Sequence, residues 1–395
     1  MVRTRSTRLF ATLTSAAVVL AGAQLISRDR AAHADSVQFW NVPIGDGAIL
    51  APSGIQPAQY TQFDQVHVIR TTNQDPIRPV IKSGNWLNRC SGTQPAGFNV
   101  RIPDNYTLPD ARPDYQPNNH MIFIDPDGTT TISLVGSARC TQAGPVYGLW
   151  YPSAYKGTIT DQRYGTHASQ LSALGGTIRP GELTGPQPIN HALDLIIWGK
   201  ENLYWNGNPN NCYRWPALAC DAYAGQNDIG YRGTNPQLTM GALLTIPKTT
   251  TPEQLGITTD VGRKLLQTLQ TYSGYITDDT AWDAYTLGVS AEAVGTFPWG
   301  TQEQNDYKTL IQNTHIVTNN SAKLSGGSAD NTVPTFPVPS STVGSSTVPS
   351  STVSSAPCLP APSIQHLSRR HQSRLVRQCR TPRHQRRTQP APPLL

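Results

Sequence analysis

A mainly β fold is expected, an antiparallel, jelly-roll-like sandwich of two sheets with one or two helices, and three observations predict it. Short apolar or alternating segments recur through residues 35–325, and the 28 Gly and 22 Pro within that region punctuate them as turns. Residues 120–135 carry a complete hairpin signature. Only one stretch, 261–272, has strong helical spacing, with Leu265, Leu266, Leu269 and Tyr272 on one face.

The two ends are set aside first. Arg3, Arg5 and Arg8 precede a mostly apolar run from Leu9 to Ile26, and Ala32-His33-Ala34 places small residues at the −3 and −1 positions of a cleavage site. Residues 1–34 are therefore expected to be a cleaved export signal. The run is interrupted by Thr, Ser and Gln24 and is short for the ~20 apolar residues of a membrane helix. No later segment is long and apolar enough to span a bilayer, so no membrane span is expected after cleavage.

The net charge of +6 belongs to the ends. Of the 31 basic residues, 13 are arginines in residues 1–34 and 356–395; of the 25 acids, only Asp29 and Asp330 lie outside residues 35–325. The central region thus keeps 18 basic and 23 acidic groups. A folded nucleic-acid binder shows the opposite balance, so nucleic acid is excluded as a partner of the core. Cys90, Cys140, Cys212 and Cys220 fall in that core, Cys358 and Cys379 in the tail. Export makes disulfides the default. Of the three pairings open to four cysteines, Cys212–Cys220 as a short loop closure and Cys90–Cys140 as a tie between two strand regions are expected. No CxxC or HxxxH spacing marks a zinc site.

In chain order, 65–70 (QVHVIR) alternates as a strand, with His67 beside Gln65 and Ile69 in a structural role. Residues 79–81 and 98–102 are further short strands, and 103–119 a Pro/Asp/Asn-rich loop. HMIFI (120–124), the Asp125-Pro126-Asp127-Gly128 turn and the alternating 129–135 form the hairpin, because Pro presets φ and Gly tolerates positive φ. Residues 141–163 are an aromatic-rich loop. The stretch 164–205 is the focus of the chain: His167, a possible helical turn over 169–174, the Gly175-Gly176 turn, Arg179 and Glu182, then His191 and an apolar run carrying Asp194. That run, 189–198, and 238–246 are expected as buried strands. Thr251-Pro252-Glu253 resembles a helix start, Asp260 is the expected cap of helix 261–272, and Gly274 its stop. A short strand at 275–276, an acidic loop at 278–283 and a last helix over 303–312 close the domain by residue 325.

From 326 to 356 near-copies of Ser-Ser-Thr-Val-Pro form an extended linker. Residues 357–395, rich in Arg, His, Gln and Pro, hold too few apolar residues for a core and are expected to be disordered. They read either as a basic arm for anionic polymers or as the product of a frameshift within the repeat, since Ser, Thr and Pro codons read out of register give Arg, His and Gln.

The candidate catalytic set is His120, Arg179, Glu182 and His191. Trp150, Trp198, Tyr204 and Trp205 are the candidate substrate-binding aromatics, since sugar faces stack on such rings. Two carboxyls flanking a bond suit glycoside hydrolysis; Arg, His and Tyr suit β-elimination from a uronate. These point to a polysaccharide or cell-wall glycan as partner and to a hydrolase or lyase working in an aromatic-lined cleft. The alternative is a non-catalytic glycan-binding or structural cell-surface protein, in which Arg179–Glu182 is a plain ion pair and His191 a core histidine. No cofactor is expected; Asp278, Asp279 and Asp283 crowd three acids into six residues, which reads either as a calcium site or as a solvated loop. No GxSxG elbow, P-loop or GxGxxG fingerprint is present.

The segments NNHMIFIDPDG, LSALGGTIRPGEL, INHALDLII, MGALLTIP and LLQTLQTYSGYITDDTAWD, spread over roughly 115–285, resemble a family of exported bacterial proteins of soil organisms that has no assigned activity. The resemblance implies a single secreted domain. At His120, Arg179, Glu182, His191 and Asp278 it implies shared positions and no roles.

Overall fold

The computed structural model describes residues 39–113, 115–152, 156–159 and 164–328. The export signal, the linker beyond Ser328 and the basic tail with Cys358 and Cys379 lie outside the described residues. The chain divides into two units, Met1–Thr335 and Phe336–Leu395, and every described residue belongs to the first.

The described strands are β1 (Leu50–Pro52), β2 (Tyr60–Arg70), β3 (Ile77–Lys82), β4 (Pro95–Arg101), β5 (His120–Ile124), β6 (Thr130–Leu134), β7 (Val146–Gly148), β8 (Lys156–Thr158), β9 (Leu193–Ile197), β10 (Leu243–Thr245), β11 (Gly274–Asp279), β12 (Ala284–Ser290) and β13 (His315–Val317). Four α-helices among the described residues accompany them: α1 (Gly199–Asn202), α2 (Pro252–Leu255), α3 (Asp260–Thr271) and α4 (Thr301–Gln312). The fold is mainly β. Ten strands form one sheet in the order β1-β13-β10-β11-β9-β12-β2-β5-β6-β8, and three form a second, β4-β3-β7.

The expectation of antiparallel sheets needs correction. β11 runs parallel to β9, β12 to β2, β2 to β5, and β3 to β7. Reading neighbours in sequence as hairpins leads to this error. Parallel neighbours need long crossovers, and here residues 71–119 separate β2 from β5 while 198–273 separate β9 from β11. The one strong hairpin signature does form β5 and β6, paired Met121 to Leu134 through Ile124 to Thr131. Its turn closes with Gly128 N–H donating to the Asp125 carbonyl at 2.8 Å, and Gly128 takes φ +70°.

The largest apolar cluster joins α3 and α4 to the centre of the large sheet, through Leu265, Leu269, Leu310 and Ile311 against Leu195, Leu244, Ile276 and Leu287. A second cluster joins the small sheet (Val80, Phe98, Val100, Val146) to Ile69, Met121, Phe123 and Leu134 of the large one. Strand and helix ends shift from expectation by a few residues. The 238–246 segment forms only three residues of strand, because Gly241, at φ +82°, bends the chain before β10. Residues 169–174 make turns and no helix. The cap of α3 is Thr259, whose hydroxyl accepts the Gly262 N–H, while Asp260 is the first helical residue. Ser273 takes the positive φ after the helix, which frees Gly274 to begin β11. Both expected disulfides, Cys90–Cys140 and Cys212–Cys220, are present.

Candidate functional site

Segment 164–178 lies across strands at the middle of the large sheet. Its contacts show this: Thr166 meets His120 of β5, His167 meets Asp194 of β9 and Asp278 of β11, and Ser169 N–H donates to the Thr277 carbonyl. Between segment and sheet runs a line of buried polar groups. His120 Nε2 lies 3.0 Å from Asp64 Oδ2, and His120 Nδ1 lies 2.7 Å from Thr166 Oγ1. The His120 and His167 rings are 4.6 Å apart, centroid to centroid. His167 Nε2 is 3.0 Å from Asp194 Oδ2, and its Nδ1 is 3.2 Å from Asp278 Oδ2. Asn118 donates to Asp64, Thr277 to the other oxygen of Asp194, and the Ala168 N–H to Asp278.

Simple periodicity puts Asp64 there. Alternate residues of a strand share a face, so Asp64 goes with Val66, and Val66, Ile122 and Ala173 form a small apolar cluster beside it. Asp194 needs a neighbour without a side chain. A Cβ on Gly288 in β12 would collide with its carboxylate, and one on Gly176 with its backbone. The Gly175-Gly176 pair therefore allows close approach of segment and sheet.

The charges in this line support one another. Burial works to raise the Asp64 pKa, but His120 and then His167 outweigh it and the value falls below 3.8. Burial works to lower the His167 pKa, but Asp194 and then Asp278 outweigh it, and the value rises well above 6.5. His67, by contrast, is pushed down to about 4 by burial and meets the Tyr106 hydroxyl, the structural role expected of it.

The line ends at a cluster of acids. Asp279, next to Asp278, accepts N–H groups of Gly199 at 2.6 Å and Ala281 at 2.8 Å, and the Tyr223 hydroxyl at 3.1 Å. Gly199 is required for this, because a Cβ would sit 2.8 Å from the Asp279 carboxyl group. Tyr231 donates its hydroxyl to Asp221. Burial, followed by Asp278 and Asp279, drives the Asp221 pKa well above 3.8. Burial pushes Asp279 up to about 6. Burial raises both tyrosines too, with Asp221 adding to it. Asp221, Tyr223 and Asp278 are half-buried, so this end of the line reaches solvent while the Asp64 end does not.

The structure divides the candidate catalytic residues. His120 belongs to the central line. Arg179, Glu182 and His191 form a cluster of their own, with His191 Nε2 3.2 Å from Glu182 Oε2 and Arg179 Nη1 3.3 Å from Glu182 Oε1. Glu182 also accepts the Arg179 backbone N–H at 2.7 Å, so a three-residue turn holds the pair. Among the described residues no hydrogen bond or ion pair joins this cluster to His120. The four candidate aromatics separate as well. Trp150 pairs with Val135 beyond β6, whereas Trp198, Tyr204 and Trp205 follow β9. Trp198 immediately precedes Gly199, and the Trp205 ring lies where a Cβ on Gly225 would be.

Asp278 and Asp279 belong together, but the Asp283 carboxylate accepts the Gln59 N–H instead, and the three acids do not converge as a calcium site would require. Two sets of ligand-type atoms do converge among the described residues: Asp64, His120 and His167, and Cys90, Asp110 and Cys140. The second is a disulfide beside an acid. His167 and Asp194 stand in the focal stretch with no role that their spacing assigns, and Asp64, Asp221, Tyr223 and Tyr231 belong to no local motif. An acid in phase with Val66, and another inside the apolar Leu193–Ile197 run, were signals; Asp221, in a loop, gave none. No helix among the described residues is long and apolar enough to cross a membrane. Compared with protein-family models, with curated proteins and with solved structures, the chain matches none.

Proposed function

We propose that this chain is a secreted polysaccharide-active protein, a glycoside hydrolase in which Asp221 is the general acid and Asp278 activates the attacking water. The observation that carries this is the meeting of Asp221, Asp278 and Asp279 at a largely buried position whose edge reaches solvent, with Asp221 driven well above the ordinary carboxylate range. A carboxyl kept neutral beside another carboxyl is the device that glycoside hydrolysis uses. Asp221 gives its proton to the glycosidic oxygen as the bond to the anomeric carbon breaks. Water adds to that carbon and loses a proton to Asp278. Solvent returns the proton from Asp278 to Asp221, and one water is consumed. Trp198 and Trp205, both partly exposed, are the aromatics this reading assigns to sugar stacking.

Hydrolysis fits better than β-elimination. An eliminating enzyme neutralises the uronate carboxylate with a cation, and the groups whose charges meet at Asp221 are carboxylates and tyrosines. Export is part of the proposal; the two disulfides fit an oxidising compartment, as does the signal-like N-terminus. So is the sandwich, supported by the cluster that both sheets share. A second reading, a glycan-binding protein without chemistry, is favoured by one observation: Tyr60 and Trp282 are 48% and 40% exposed, with rings 5.2 Å apart.

The test is a polysaccharide panel on the full chain, scored for new reducing ends and for unsaturated uronates. Asp221→Asn and Asp278→Asn should each lower reducing-end release by about 10²-fold or more with the fold intact by circular dichroism. Release unchanged in both variants would sink the assignment. Unsaturated products would establish a lyase. Retention on a polymer without release, lost in Trp282→Ala, would establish the binding reading.

A further inference from the structure

We infer that Asp64, His120 and His167 bind a first-row divalent cation of the zinc class, with Asp194 as the fourth ligand. One ligand atom from each of the first three lies within 4.8 Å of the others, and all three residues are buried. Two imidazoles with carboxylates make up a nitrogen–oxygen donor set that suits zinc. Two of the present separations are close to what it needs, and Asp194, outside the set that lies within 4.8 Å, closes in on binding. His120 Nε2 to Asp64 and His167 Nε2 to Asp194 are both 3.0 Å, near the spacing of about 3.3 Å between ligands around a tetrahedral zinc with bonds of about 2.0 Å.

The surroundings have the form of an outer shell. A metal-bound histidine donates its other ring N–H to a fixed acceptor. His120 Nδ1 faces Thr166 Oγ1 at 2.7 Å, and His167 Nδ1 faces Asp278 Oδ2 at 3.2 Å. Each ring thus has one nitrogen for the cation and one already held. Gly288 leaves the room that Asp194 occupies. On binding, each Nε2 lone pair turns to the cation, whose charge neutralises Asp64 and Asp194. With four protein ligands and no exposed position, the site is closed, which makes its role structural. The ligands are far apart in sequence, with 56 residues from Asp64 to His120 and 27 from His167 to Asp194, so no local spacing announces them.

This inference does not rest on the hydrolase reading, since Asp278 accepts the same His167 N–H with or without the cation. It is tested on the full chain purified without chelator, by elemental analysis, and then on the chelator-stripped chain titrated with Co²⁺ and Zn²⁺. One equivalent of metal, a visible cobalt spectrum with imidazole ligation, and its loss on adding Zn²⁺ are expected. Asp64→Asn, which keeps the shape of the side chain, and His167→Gln should each weaken zinc binding by at least about tenfold, while His191→Ala should leave it unchanged. Stripped protein that is folded by circular dichroism yet gives no cobalt spectrum and takes up no zinc overturns the inference. So does zinc binding that persists in both ligand variants.

Discussion

His167 and His191 are both buried histidines facing carboxylates, and they come from the same stretch of sequence, yet they do different work. His167 touches two acids from two different strands and packs its ring, tilted, beside that of His120, so it ties together segment 164–178, β5, β9 and β11. His191 touches Glu182, nine residues before it, and the carbonyl of its own neighbour. The carboxylates differ as well: Asp194 is fully buried, whereas the Glu182 side chain is 20% exposed. Burial and span, more than residue type, separate a junction of the fold from a local brace.

The largest expected effect sharpens that contrast. In the metal-free chain His167→Ala leaves Asp194 and Asp278 without their shared partner, and breaking a buried pair from one side costs about 3–5 kcal/mol. His191→Ala leaves a carboxylate that water reaches, and the expected loss is about 1 kcal/mol. Urea denaturation of both variants measures the difference. Equal losses would break the comparison. Next in size is Gly288→Ala. The added methyl meets the Asp194 carboxylate, and overpacking of this kind costs about 1–3 kcal/mol. The loss should shrink in the Gly288→Ala, Asp194→Ala double variant, which tests whether the glycine serves that one carboxylate.

The two regions should also respond to pH at opposite ends of the scale. In the chelator-stripped chain His167 has a folded pKa above its unfolded value near 6.5. Its contribution is complete below about 6.5 and is lost as pH rises through the folded value. Glu182 is shifted the other way: burial opposes ionisation, but His191 outweighs it and the value falls below 4.5. Its contribution is present above about 4.5 and is lost as pH falls through the folded value. Thermal melts across pH should show His167→Gln flattening the alkaline side and Glu182→Gln softening part of the acid side. Asp64, also lowered, keeps the remainder of the acid side. An alkaline side unchanged by His167→Gln would show that His167 is not the group titrating there.

The sequence revealed local features better than long-range ones. The 120–135 hairpin, the apolar stripe of α3 and both disulfides follow from spacing and turn chemistry within short windows, and they are present. The parallel pairing of β2 with β5 and of β9 with β11 depends on crossovers of dozens of residues, and no window shows it. The site divides the same way. Arg179, Glu182 and His191 were legible as a group because they are a group in sequence, held by one turn. Asp64 and His120 become neighbours only when β2 and β5 align in register, with Val66 opposite His120. Asp221 reaches Asp279 through a loop whose path local spacing does not fix. Only His120 was both chosen from the sequence and placed by the structure in the central line.

The smallest expected effect concerns the residue with the most conspicuous charge in the peripheral cluster. Arg179 meets Glu182 at 3.3 Å, but its side chain is 49% exposed. An ion pair open to solvent contributes little, because water and salt screen it and ordering the long side chain costs entropy; exposed pairs contribute about 0–1 kcal/mol. Glu182 would keep its other two partners, the Arg179 backbone N–H and His191, after Arg179→Ala. That variant should therefore lie within about 0.5 kcal/mol of the parent in urea denaturation, with a difference that vanishes at high salt. A loss as large as that of His191→Ala, and insensitive to salt, would mean that the guanidinium holds the turn itself. The peripheral cluster would then be a three-membered unit rather than a histidine–carboxylate brace with a cation beside it.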